Sequence, residues 1–218
     1  VEINAYWYND LEIMKQFALL QQDNELAQHY AELADKVKEA FLLKFWNEEE
    51  NCLKDVLSGN SEENQVRCNQ VWVLSMPYTM LPKEKELCVL HKIKEELYTT
   101  AGLRTLSPKD SAFHDIYIGS MQERDRAYHQ GTVWAFPLGA YYRAWIKYLR
   151  QDASDNTSAY KAELAEGIEA IRYWLEEGCL GQLAEIYDGA NPTVSRGCFA
   201  QAWSVGELLR AVYEWEQL

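Results

Sequence analysis

The apolar residues of this chain recur with a helical period in every long segment, yet alternate segments use them differently. In some they cover one face, and in others they run nearly all the way round. A helix with one apolar stripe needs one neighbour, whereas a helix apolar on every side must be enclosed. Seven helices are read. The second, Asn24 to Phe45, sets Leu26, Tyr30, Leu33, Val37 and Phe41 on one stripe with charges opposite. The fourth, Lys83 to Leu97, sets Leu87, Leu90, Ile93 and Leu97 against Lys85, Glu86, Lys92, Glu95 and Glu96. The sixth starts near Asn156 to Ser158, which can cap it, carries Leu164, Ile168, Ile171 and Leu175, and stops before Gly178. The other four are apolar all round: the first (Ile3, Trp7, Leu11, Met14, Phe17, Leu20), the third (Val71 to Leu74 and Met76), the fifth (Val133, Trp134, Phe136, Leu138, Tyr141 to Leu149) and the seventh (Trp203, Val205, Leu208, Leu209, Val212, Trp215). Buried helices therefore alternate with amphipathic ones. The simplest architecture that satisfies both is an inner ring of helices wrapped by an outer ring, an all-α toroid, with no long alternating strand.

Loop lengths alternate in step. Connections from a buried helix outward are short, around Gln22 to Asp23, Pro82, and Arg150 to Asp155. The returns are long: Asn47 to Val66, Thr99 to Gly131, and Glu177 to Ala200. Long loops with little structure of their own tend to carry function, and a ring places all three at one end. Each finishes in polar and aromatic residues aimed into the mouth. The first helix offers Glu2, Asn4, Trp7, Tyr8 and Asn9, and the third begins with Arg67, Asn69 and Gln70. Ahead of the fifth stand Arg124, Asp125, Tyr128, His129 and Gln130; ahead of the seventh, Glu185, Asp188, Arg196 and Gln201, with Trp203 just behind. Neutral polar groups, paired charges and aromatic rings suit a sugar, whose hydroxyls need donors and acceptors and whose C–H faces lie on rings.

Each group also has a purely structural reading. Arg67, Arg124 and Arg196 serve equally well as loop-stapling cations paired with Asp125, Asp188 or backbone carbonyls. Trp134 and Trp145 read as core. Asp55, in Leu53-Lys54-Asp55-Val56-Leu57, either reaches the mouth or shapes a turn. Gly131, Gly189 and Gly197 mark tight backbone. The four histidines and the cysteines Cys52, Cys68, Cys88, Cys179 and Cys198 form no metal-ligand spacing, so neither metal nor cofactor is expected.

Composition narrows the partners. Against 21 basic residues stand 34 acidic ones, a formal net charge of −13 that repels phosphate backbones and anionic lipid. Nucleic acid and membrane are poor partners, no apolar run approaches the roughly 20 residues that cross a bilayer, and unpaired thiols fit the cytoplasm.

Four stretches are recognisable together: Leu103-Arg104-Thr105-Leu106-Ser107-Pro108, Arg124 to Trp134, Glu185-Ile186-Tyr187-Asp188-Gly189, and Arg196 to Val205. With the opening Glu2 to Asn9, they closely resemble the carboxy-terminal glucosidase domain of glycogen debranching enzymes, the amylo-α-1,6-glucosidase family. The resemblance implies a twelve-helix (α/α)6 toroid. Residues 1–218 would be its carboxy-terminal seven helices, with the amino-terminal part of the domain lying ahead of residue 1. It implies hydrolysis of α-1,6-linked glucose at glycogen branch points by inversion, an α-glucan partner, Glu185 as general base, and Asp188 as the fallback base or otherwise a sugar ligand or a partner of Arg196. The family's general acid is an aspartate upstream of the segment matching Glu2 to Asn9. The chain alone is therefore expected to be inactive, and an open ring to expose apolar helix faces and self-associate. A glucoamylase-like or trehalase-like toroidal hydrolase and a non-catalytic glycan- or protein-binding helical scaffold are the alternatives.

Overall fold

The computed structural model describes residues 1–60, 64–151, 157–177, 180–190 and 194–218. Its helices are α1 (Glu2–Leu20), α2 (Asn24–Phe45), α3 (Val71–Ser75), α4 (Lys83–Glu96), α5 (Met121–Tyr128), α6 (Phe136–Gln151), α7 (Thr157–Trp174) and α8 (Ala202–Glu216). Seven of these are the helices read from periodicity. In the inner series α3 packs on α1 and α6, and α6 packs on α8; α2, α4 and α7 lie behind α1, α3 and α6. The two series of helices thus form two layers. Asp23 caps α2 by accepting from the Leu26 amide at 3.0 Å. The cap at Asn156, the stop at Gly178 and the thiol of Cys179 lie outside the described residues, among which Cys52, Cys68, Cys88 and Cys198 are free.

Three expectations need correction. The fifth apolar segment does not begin as a helix: Val133 and Trp134 form strand β5, and α6 starts at Phe136. The third helix is a single short turn that ends at Ser75, because Pro77 follows two residues later and forces Met76 into extended backbone. Enclosure on all sides holds for α6 but not for α1 or α8. Ile3, Trp7, Phe17 and Leu20 of α1 and Trp203, Leu209 and Tyr213 of α8 are exposed. The eighth helix, α5, sits inside the second long loop.

Very short strands organise the mouth. β1 (Trp46–Asn47) pairs with β2 (Cys52–Leu53), and β3 (Tyr98–Thr99), β4 (Gly102–Arg104), β5 (Val133–Trp134), β6 (Ile186–Tyr187) and β7 (Ser195–Arg196) form one antiparallel sheet in chain order. The sheet ties the second long loop to the third. A Cβ on Gly102 would lie 2.2 Å from the Trp134 carbonyl oxygen, so glycine is what lets β4 approach β5. The first loop joins through the Ser107 amide, which donates to the Val66 carbonyl at 3.0 Å.

A buried carboxylate fixes the second loop to α4. Glu96 accepts from the Ser107 hydroxyl at 2.6 Å, from Lys109 Nζ at 2.9 Å and from Lys92 Nζ at 3.1 Å. Burial alone would raise its pKa; these three donors outweigh that and hold it below the ordinary value. A depressed folded-state value stabilises above the unfolded pKa and is lost as pH falls through the folded one. Glu96→Gln is therefore expected to cost about 1 kcal/mol near neutral pH and progressively less at an acidic pH below the ordinary glutamate range. Urea unfolding at the two pH values reads the difference.

Candidate active site

The inner helices begin at the mouth, and their first turns supply an aromatic wall. Trp72 of α3 stacks on Phe136 of α6 at 5.8 Å, and Phe136 stacks on Trp203 of α8 at 4.4 Å and 16°. Trp203 meets Trp134 edge-on at 6.0 Å, and the His129 ring lies parallel to Trp134 at 5.4 Å and 13°. Trp203 remains 47% exposed, which leaves an indole surface open at the mouth. Partial burial and then the nearby Arg67 charge lower the His129 pKa, so its ring favours the neutral form.

Glu185 stands at the end of this wall, immediately before β6 and half-buried. Its backbone amide donates to the Cys198 carbonyl at 2.8 Å, and its Oε2 accepts from the Cys198 amide at 2.9 Å. Its Oε1 accepts from the Tyr128 hydroxyl. Gly197 makes the Oε2 contact possible: its φ is +65°, and a Cβ there would lie 2.6 Å from Glu185 Oε2.

Asp188, just past β6, is differently employed. Arg196 on β7 donates to it through Nε at 3.0 Å and Nη2 at 2.9 Å, and the Tyr117 amide donates to Oδ1 at 2.8 Å. This bidentate pair closes the β6–β7 hairpin and raises the Arg196 pKa through the hydrogen bond. The partnership with Arg196 read from the sequence is present in the structure.

A second polar group flanks the wall. Arg67 Nη1 donates to the His129 carbonyl at 2.7 Å and Nη2 to Gln130 Oε1 at 2.8 Å, so it staples the first loop to the second. Asn69 donates to Asp55 Oδ1 at 3.0 Å. Burial raises the Asp55 pKa against the lowering effect of Asn69, and Glu2 is near enough to raise it further. Arg67, His129 and Gln130 form one linked group and Glu2, Asp55 and Asn69 another, and the His129 ring touches that of Tyr128, the donor to Glu185.

Other residues read as pocket lining make contacts of a different kind. Asn9 is buried, and its amide donates to the Ala5 and Tyr78 carbonyls and accepts from the Tyr78 amide, joining α1 to the segment after α3. Gln70, 1% exposed, accepts from the Leu53 amide and donates to the Arg67 carbonyl. Both side chains hold backbone. Trp7 lines a groove between α1 and α2 with Val37, Phe41 and Phe45. Asp125 is exposed on α5, and Gln201 stands at the N-cap position of α8 without a side-chain cap bond, its backbone amide donating to the Leu183 carbonyl at 2.9 Å. Sequence reading missed the Cys198 amide, which no side chain announces, and Phe136 and Trp72, which it took for core alone. Among the described residues, no three His, Cys, Asp or Glu side chains stand close enough to hold a metal ion.

Comparison with known proteins decides the family. A family model described as amylo-alpha-1,6-glucosidase matches residues 1–210. The chain belongs to the amylo-alpha-1,6-glucosidase family. Among curated relatives of this family member, mannosyl-oligosaccharide glucosidase of Saccharomyces cerevisiae is 26% identical over 184 residues, covering 76% of this chain and 21% of that protein. Glycogen debranching enzyme of the same yeast is 24% identical over 167 residues, covering 70% of this chain and 11% of that protein. The chain thus spans about a fifth or less of the length of these relatives. Solved structures share its fold: a sialidase at TM-score 0.73 and 15% identity covers 95% of this chain, which matches 19% of that structure. Neutral trehalase Nth1 from Saccharomyces cerevisiae, at TM-score 0.64 and 14% identity, covers 97% of this chain, which matches 37% of that one. The two-layered helical arrangement is therefore of the helical-toroid type.

Proposed function

We propose that the complete protein carrying this chain is an inverting glycoside hydrolase that releases α-1,6-linked glucose from glycogen or a related α-glucan. Residues 1–218 are the carboxy-terminal part of its toroid, and Glu185 is the general base. One observation carries the reading: in a chain whose family match runs over residues 1–210, the Glu185 carboxylate closes an aromatic wall that is open at Trp203. A glucose ring stacked on Trp203 offers its C–H face to the indole and its hydroxyls to the polar rim of His129, Gln130, Arg67, Asn69 and Glu2.

In the proposed step Glu185 removes a proton from a water that attacks the anomeric carbon, while a carboxylic acid on the opposite side protonates the leaving oxygen. Inversion asks for about 6.5–9.5 Å between the two carboxyl groups, which leaves room for that water. The resemblance puts the acid ahead of residue 1, so residues 1–218 alone are inactive on glucans. No described helix is long and apolar enough to cross a membrane, and the free thiols favour the cytoplasm as the working compartment. The likeness to mannosyl-oligosaccharide glucosidase supports a second reading, in which the same base acts on a glucose capping a mannose oligosaccharide.

The complete protein is expected to liberate β-glucose as the first product from a glucosyl-α-1,6 limit dextrin, read by proton NMR of the anomeric signals within the first turnovers. Release of α-glucose would overturn the inverting mechanism. Faster cleavage of a glucosylated mannose oligosaccharide would select the second reading.

A further inference from the structure

We propose that Tyr128 is a positioning residue which, together with the Cys198 backbone amide, clamps the Glu185 carboxylate so that one lone pair faces the attacking water. The inference rests on Glu185 being the general base. A glutamate side chain turns freely about its terminal bond, and a base whose acceptor direction wanders loses the alignment on which proton transfer depends. Here the two oxygens are held from opposite loops. Oε2 accepts from the Cys198 amide at 2.9 Å, and Oε1 accepts from the Tyr128 hydroxyl, 57 residues away in the chain. One donor on each oxygen fixes the plane of the carboxylate and leaves each oxygen further acceptor capacity.

Tyr128 is itself fixed at both ends. Its carbonyl accepts from Thr132 Oγ1 at 2.6 Å and from Trp134 Nε1 at 3.0 Å. Its ring lies edge-on to Trp134 at 4.8 Å and to His129 at 4.8 Å, and against Tyr117 at 5.7 Å. The donor therefore has little freedom to swing toward a sugar. Burial, and next the bond to Glu185, lift its phenol above the ordinary value, so it stays protonated across any working pH. A side chain that only bound substrate would have its hydroxyl directed at the open wall; this one is directed at the carboxylate.

The test uses the complete protein and α-glucosyl fluoride, whose good leaving group makes slow rates readable. Tyr128→Phe keeps the ring and its packing and removes one hydroxyl. It is expected to lower kcat about tenfold with KM within about twofold. In a Glu185→Gln background the same change is expected to cost nothing further, because the hydroxyl works through the carboxylate. Gly197→Ala approaches from the other side: its Cβ, 2.6 Å from Oε2, displaces the carboxylate and reproduces the loss in kcat. An unchanged kcat in Tyr128→Phe, or the same tenfold loss on top of Glu185→Gln, overturns the positioning role. Full hydrolysis by Glu185→Gln itself would instead remove the base assignment, a separate failure.

Discussion

Glu185→Gln in the complete protein is expected to cut hydrolysis of the branched α-glucan by about 10³-fold while glucan affinity stays within a few-fold. Glutamine keeps the shape of the side chain and one oxygen acceptor. The Cys198 amide can only donate, so the glutamine carbonyl oxygen must face it, and the new NH2 then faces Tyr128. The Tyr128 hydroxyl turns to accept, so the site keeps its hydrogen bonds and loses only the ability to take a proton from water. Folding and binding are spared because Glu185 lies at the end of the aromatic wall, and Trp203 with the polar rim remains in place to hold the sugar. Initial rates on limit dextrin, with calorimetric titration of the same glucan, separate the two effects. Wild-type turnover in this variant would move the base elsewhere. Asp188 is a poor replacement, since Arg196 and the Tyr117 amide already occupy it.

The helices were legible because each rests on several residues at once. The stripe of α2 repeats over Leu26 to Phe41, and the apolar run of α6 leaves hardly a side chain exposed. The mouth was legible only in part. Two-residue strands such as β5 and β6 are too short to show an alternation, so the sheet that unites the second and third loops has no periodic signature. α5 is polar almost throughout and buries only Ala127, so it shows no stripe. Its capping box, Ser120 with Glu123, was the one signal available. Asn9 and Gln70 have the composition of sugar ligands but are buried against backbone groups that would otherwise lack partners. Residue type alone cannot separate those two uses of an amide.

Gly139 is where the inner layer and the site depend on each other most directly. It lies in α6, and a Cβ on it would sit 2.4 Å from the Glu207 carbonyl oxygen and 2.5 Å from its carbon, so the backbone of α8 rests on this residue. Further along, Arg143 Nε donates to Glu214 Oε1 at 2.8 Å and Arg150 to the Glu214 carbonyl at 2.9 Å, so α8 is also held at its far end. With both ends of the contact fixed, α8 cannot slide to accept a larger side chain. Because the conflict is with backbone, no rotamer relieves it. Gly139→Val is accordingly expected to destabilise the fold by about 3 kcal/mol, the upper range for overpacking, seen as an earlier urea midpoint. The damage should reach the site. The Gln201 amide donates to the Leu183 carbonyl at 2.9 Å, and Ser204 of α8, fully buried, donates to the Ala184 carbonyl at 3.1 Å, so the first turn of α8 holds the two residues that lead into Glu185. Lifting α8 off α6 pulls on that segment and on Trp203 together. Activity in Gly139→Val should therefore fall further than the unfolded fraction explains, whereas Gly206→Ala, where an added Cβ meets nothing within 4 Å, should leave both stability and turnover intact.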